Sequence, residues 1–134
     1  MSTQTETISL EIVTPVGVAF KGDVFQVDIP GSEGIFGVLP KHSPLIATLT
    51  DGTLIINPRS STEEKIFISG GFAEISDNKC VILTPYFVNL KNIDKSQIEH
   101  DFYAVEKELA ITLDTSEKEK LKVKHKRLGA LLKA

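Results

Sequence analysis

Cysteine, tryptophan and long apolar runs are what this sequence is short of. Cys80 is the single cysteine in 134 residues, so an internal disulfide is impossible. No Cys/His cluster has zinc-ligand spacing, and a reducing compartment is the natural expectation. No apolar stretch approaches the roughly 18 residues that would suggest a bilayer span. The start, Met1 to Thr7, has neither the basic and apolar regions of a secretory signal nor the Arg-rich, acid-poor pattern of an organelle-targeting peptide. The protein is expected to be used where it is made. An apolar share of 41% and a charged share of 25% exclude a disordered or fibrous chain.

Positive charge is also scarce over most of the length. Residues 1–116 hold 8 Lys/Arg against 16 Asp/Glu, a net −8, whereas residues 117–134 hold 7 basic and 2 acidic residues, a net +5. The formal total of −3 conceals this segregation.

Up to about residue 90 the pattern has period two, with Val, Ile, Phe and Thr abundant and Gly, Pro, Asn or Asp between runs. Strands are expected at 9–14, 18–21, 24–29, 35–39, 45–50, 52–57, 65–69, 72–76, 79–84 and 87–90. About ten strands without a helix between them exclude βαβ crossovers and predict a mostly antiparallel β-sandwich or flattened barrel. Asp77-Asn78 and Asp51-Gly52 both read as hairpin turns. After Asn92 the period becomes helical. Asp94 with Gln97 suggests a capping box ahead of Ile98, Phe102, Val105 and Leu109, and Ser116 with Glu119 suggests another ahead of Leu121, His125, Leu128 and Leu132. The expected organisation is therefore a β-sandwich over 1–90 and an antiparallel helical hairpin over 91–134, marginal by itself and able to dock or detach.

Motifs for catalysis are few. The stretch from Gly31 to Gly37 is glycine-rich, but it has neither dinucleotide-fold nor P-loop spacing and no helix follows it. It reads as a tight surface loop, bounded by Pro30 and Pro40, against which another protein packs. His42 and Ser43 are neighbours on an extended chain, which points their side chains apart and argues against a Ser-His hydrolase. His100 and His125 stand singly on predicted helices. Glu33 and Glu74 have no evident carboxylate partner, and Cys80 reads as a strand residue. The basic terminal helix, with Lys118, Lys120, Lys122, Lys124, Lys126, Arg127 and Lys133, admits a nucleic-acid reading, yet it has no aromatic residue for stacking and the rest of the chain is acidic. A solvated helix face or an acidic protein surface as partner is preferred.

The run Pro30-Gly-Ser-Glu-Gly-Ile-Phe-Gly-Val-Leu-Pro-Lys-His-Ser-Pro-Leu45, with Gly52-Thr-Leu54, Ser69-Gly-Gly-Phe-Ala-Glu-Ile75 and the opening Leu10-Glu-Ile-Val-Thr-Pro15 and Phe20-Lys-Gly22, resembles the ε subunit family of F-type ATP synthases, called δ in mitochondria. The resemblance implies a non-catalytic central-stalk rotor component without a cofactor or metal. By similarity the sandwich would bind the γ subunit and rest on the ring of c subunits. Gly31, Ser32, Glu33, Gly34, Ile35, Phe36 and Gly37 would face that ring, with His42 in or beside the same interface. The hairpin would fold onto the sandwich or extend along γ. There its basic helix, represented by Lys118, Lys122, Lys126 and Arg127, would meet the α and β subunits conditionally and restrain ATP hydrolysis. Membrane association would come only through the complex, at the cytoplasmic face of a bacterial inner membrane. A free-standing β-sandwich enzyme or ligand-binding protein using the region from Gly31 to His42 is the competing expectation.

Some family members bind ATP through an Ile/Leu-Asp-x-x-Arg-Ala motif at the first helix. Here Ile93 and Asp94 match, but Gln97 stands in place of the arginine and Ile98 in place of the small residue. Gln does not reproduce a permanently charged guanidinium fork, so nucleotide binding is expected to be absent or weak.

Overall fold

A computed structural model describes residues 6–134. The first five residues, which carry part of the targeting-peptide argument above, lie outside the described residues. The chain divides into two compact units, Met1–Lys91 and Asn92–Ala134.

Among the described residues the first unit contains ten strands: β1 (Ile8–Thr14), β2 (Gly17–Val24), β3 (Val27–Gly31), β4 (Gly34–Val38), β5 (Leu45–Leu49), β6 (Gly52–Ile56), β7 (Glu64–Ile68), β8 (Gly71–Ser76), β9 (Lys79–Leu83) and β10 (Phe87–Asn89). They hydrogen-bond in the order β10-β7-β6-β3-β5-β8-β9-β1-β2, with β4 pairing β3 off this path. Alternation decides which side chains go inward: Ile8, Leu10 and Ile12 of β1 are fully buried while Ser9 and Glu11 are not. Leu54 and Ile56 of β6 join Leu10, Ile12, Ile75 and Ile82 from the other end of the strand order in one core cluster. The sheet therefore doubles back on itself, and its two halves face each other as a sandwich. Each fully buried Ile or Leu contributes on the order of 1.5–3 kcal/mol through removal of apolar surface from water.

Most pairs are antiparallel, but β1 and β9 run parallel, with Leu10 opposite Cys80 and Ile12 opposite Ile82. A parallel pair needs a long connection, and here the intervening strands supply it in place of a helix. Three local expectations need correction. The second and third predicted strands divide elsewhere, because β2 continues through Val24 and the chain turns at Phe25-Gln26. There the Asn57 side chain accepts from the Phe25 N–H at 2.9 Å, and the Asn57 N–H donates to the Gln26 carbonyl at 2.8 Å. Asp51-Gly52 is not a hairpin turn, since β5 and β6 do not pair with each other and both lie against β3. Asp51 instead accepts a hydrogen bond from the Ser69 hydroxyl at 3.1 Å. The segment from Gly31 to Gly37 is a hairpin rather than a loop, with only Ser32 and Glu33 between β3 and β4. Asp77-Asn78 does form the predicted hairpin turn, both residues lying at positive φ (49° and 57°) between β8 and β9.

The second unit holds α1 (Lys95–Ile111) and α2 (Thr115–Lys133). Asp94 caps α1 as expected, its carboxylate accepting from the Ser96 N–H at 2.9 Å and the Gln97 N–H at 3.4 Å. The Gln97 side chain does not close the expected box. It donates to Asp101 one turn on, at 2.9 Å. At α2 the cap is Asp114, accepting from the Glu117 N–H at 3.1 Å, so Ser116 already lies within the helix and Glu119 pairs with Lys122 instead. Phe102 stacks on His125 with ring centroids 4.4 Å apart, and Glu106 lies 3.1 Å from the same imidazole. Gly129 passes so close to Phe102 that a Cβ would sit 3.3 Å from its ring. Rising numbers on α1 meeting falling numbers on α2 make the hairpin antiparallel.

Candidate functional site

The β3–β4 hairpin is built by its glycines. Gly31 is buried in β3, and a Cβ there would lie 2.8 Å from the Gly34 carbonyl and 2.9 Å from the Phe36 ring. Gly34 has φ +127°, a backbone state side-chain-bearing residues rarely adopt. The result presents Ser32, Glu33 and Ile35 to solvent, Ile35 being 76% exposed, while Phe36 packs partly against the core. Between this hairpin and β5 lies a groove of about 500 Å³, lined also by Leu45, Ile46, Ala47 and Thr48. Ile46 is 75% exposed.

His42 lies outside that groove's lining, in the segment joining β4 to β5. Its N–H donates to the Leu39 carbonyl at 3.2 Å, and its Nδ1 lies 2.6 Å from the Ser43 carbonyl oxygen. The ring thus engages the backbone carbonyl of Ser43. Among the described residues no cluster of three or more His, Cys, Asp or Glu has the geometry to hold a metal. Burial pushes the Cys80 thiol up to about 12 and makes it a poor nucleophile.

Strand register reveals a surface that sequence inspection missed. On the solvent-facing side Thr48 stands opposite Phe72, Phe72 opposite Leu83 and Leu83 opposite Val13. Phe72 and Leu83 are each more than half exposed, and Val16 and Val18 extend the row at the β1–β2 turn. A groove of about 400 Å³ runs beside it, lined by Val13, Pro15, Phe72, Leu83 and Pro85 among others. Phe72, Leu83, Val13 and Val18 thus form an exposed apolar row across β8, β9, β1 and β2, beside the second groove and meeting the first at the polar Thr48, the kind of surface that marks protein docking. The signal in the sequence was apolar residues at outward positions of alternating strands, but their alignment depends on pairings between distant segments.

On the hairpin, Lys118, Lys122 and Lys126 are exposed and recur every four residues on one face of α2. Arg127 is half-buried and does not belong to that exposed stripe. Ile93 is half-buried, Asp94 is committed to its cap and Gln97 to Asp101, so the matching segment offers no cationic fork to a phosphate.

Comparison with known proteins agrees with this architecture. The family model for the β-sandwich domain of the ATP synthase delta/epsilon chain matches residues 7–89. The ATP synthase epsilon chain of a Bradyrhizobium species is 40% identical over 103 residues, covering 77% of this chain and 76% of that protein. The epsilon chain of Rickettsia typhi is 39% identical over 104 residues, covering 76% of this chain and 94% of its own. Among solved structures, a chain of the Euglena gracilis mitochondrial ATP synthase (OSCP/F1/c-ring) superposes with a TM-score of 0.75 at 21% identity, covering 98% of this chain and 82% of that one. One from the central stalk and c-ring of the Tetrahymena thermophila enzyme gives 0.63 at 20% identity, covering 98% of each. With a sandwich family model spanning most of the β unit and relatives near 40% identity over three quarters of its length, the chain belongs to the ATP synthase delta/epsilon family.

Proposed function

We propose that this chain is a non-catalytic rotor subunit of an F-type, proton-translocating ATP synthase, seated in the central stalk between γ and the c ring. The observation that carries the reading is the exposed apolar row of Phe72, Leu83, Val13 and Val18 on the sandwich, which runs beside one groove and meets the other at Thr48. The β3–β4 hairpin with Ile35, and beside it the segment of His42, faces the c ring. The row of Phe72, Leu83 and Val13 takes γ. Localisation follows from the assembly, at the cytoplasmic face of a bacterial inner membrane, and no helix among the described residues is long and apolar enough to cross a membrane. The hairpin, with its exposed Lys118, Lys122 and Lys126, serves as a conditional contact to an acidic surface of the catalytic subunits and restrains ATP hydrolysis.

Affinity purification of the tagged full-length chain tests the assignment. Stoichiometric recovery of γ and the c subunits is expected, and Phe72→Asp with Leu83→Asp should reduce γ recovery at least tenfold while leaving the chain folded. Recovery of the chain alone would overturn the reading.

A further inference from the structure

We infer that Asn78 is a positioning residue for the segment that carries His42. Asn78 occupies the β8–β9 turn, remote in sequence from that segment. Its side-chain oxygen nevertheless accepts the Lys41 N–H at 2.8 Å, and its amide nitrogen donates to the Thr7 carbonyl at 2.8 Å. Its own carbonyl accepts from the Ser9 N–H at 3.2 Å. One side chain therefore ties the β4–β5 connection to the start of β1. Lys41 is held at φ +63°, a left-handed conformation that a lysine adopts only when its surroundings favour it. The bond from Asn78 is the anchor at that residue's own N–H, while the exposed Lys41–Glu6 ion pair at 3.1 Å adds little. The turn at Lys41 sets the direction in which His42 and Ser43 leave β4. Removing the anchor frees the turn and blurs the surface offered to the partner. Asn suits the task twice, because it tolerates φ +57° at the turn and carries an acceptor and a donor on one planar group.

The inference rests on the proposed interface role of the His42 segment, and its test separates the two. Asn78→Gly keeps the positive-φ turn but removes both side-chain bonds. Asn78→Asp keeps the acceptor for the Lys41 N–H and loses the donor to Thr7. Amide exchange of the full-length chain by NMR would be combined with competition binding to ATP synthase stripped of this subunit. In Asn78→Gly the Lys41 amide should exchange about five- to tenfold faster, as expected for loss of one hydrogen bond of about 1 kcal/mol. The Ile75 and Cys80 amides should keep their protection, and binding should weaken by a similar factor. Asn78→Asp, which keeps the acceptor but sets a carboxylate against the Thr7 carbonyl, should recover part of both, protection and binding rising together. Unchanged binding in Asn78→Gly, binding that fails to follow Lys41 protection across the variants, or joint loss of protection at Ile75 and Cys80 would each overturn the positioning role. Failure of the wild-type chain to bind would instead overturn the interface reading, with the exchange measurements still judging the clamp.

Discussion

Gly71 sits where no side chain fits: a Cβ would lie 1.9 Å from the Leu83 carbonyl oxygen, and φ is +114°. Gly71→Ala should therefore destabilise the sandwich by about 3 kcal/mol, read as a lower urea midpoint, because steric and backbone penalties coincide. Cys80 offers a test of opposite kind, in which solvent exclusion is the variable. Its thiol titrates at 9.0 when unperturbed and is pushed to about 12 by burial. Between those values the unfolded chain has lost a proton that the folded one retains, so stability falls as pH rises above 9 by up to about 1.4 kcal/mol per pH unit and is unaffected below it. Cys80→Ala should remove that part of the alkaline slope, measured by urea unfolding at pH 8 and pH 10.5. Reaction with iodoacetamide at pH 8 should be far slower in the folded wild-type protein than in urea.

Among the elements, the helix caps carry the most direct expectation. Asp94 and Asp114 each accept the N–H groups that open a helix, so replacing either by Ala should cost about 1 kcal/mol of hairpin stability, seen as faster amide exchange in that helix's first two turns. Capping at Asp94 was legible in advance because a cap and the N–H groups that donate to it are near neighbours in sequence. At α2 several acceptors compete over residues 114–116, and only geometry separates Asp114 from Ser116. Strand positions were legible from alternation, as β5, β6, β8 and β9 illustrate, within a residue or two. What pairs with what was not. The Asp51-Gly52 dipeptide has good turn chemistry, yet β3 draws β5 and β6 to itself, and the parallel β1–β9 pair joins the opening of the chain to its ninth strand. For the same reason the hairpin bearing Ile35 was visible as a motif, whereas the row of Val13, Phe72 and Leu83 required the register. The segment at α1 matching the family's ATP motif leads to one more expectation. With Asp94 capping and Gln97 bound to Asp101, isothermal titration of ATP into the chain should show no binding in the micromolar range.

At the scale of the whole molecule, all sixteen buried residues of the core cluster, from Ile8 to Ile82, belong to the β unit. Removing residues 91–134 should leave a folded sandwich. Within the hairpin Phe102 stacks on His125, and Val105, Leu128 and Leu131 are buried, a small apolar set for two helices whose stability is expected to be modest. Its charge is opposite in sign to the remainder of the chain, and three exposed lysines line one face of α2. If the hairpin restrains hydrolysis through those lysines, the assembled ATP synthase lacking residues 91–134 should hydrolyse ATP several-fold faster than the intact complex. Changing Lys118, Lys122 and Lys126 together to Glu should reproduce most of that rise without removing the helix. The difference between wild type and charge-reversed complexes should shrink as salt is raised, since exposed charges are screened over about 8 Å at physiological ionic strength. Equal hydrolysis rates for intact and truncated complexes would remove the brake and leave the sandwich as a connector alone. Relief on truncation without relief on charge reversal would place the restraint in the bulk of the hairpin, not in its basic face.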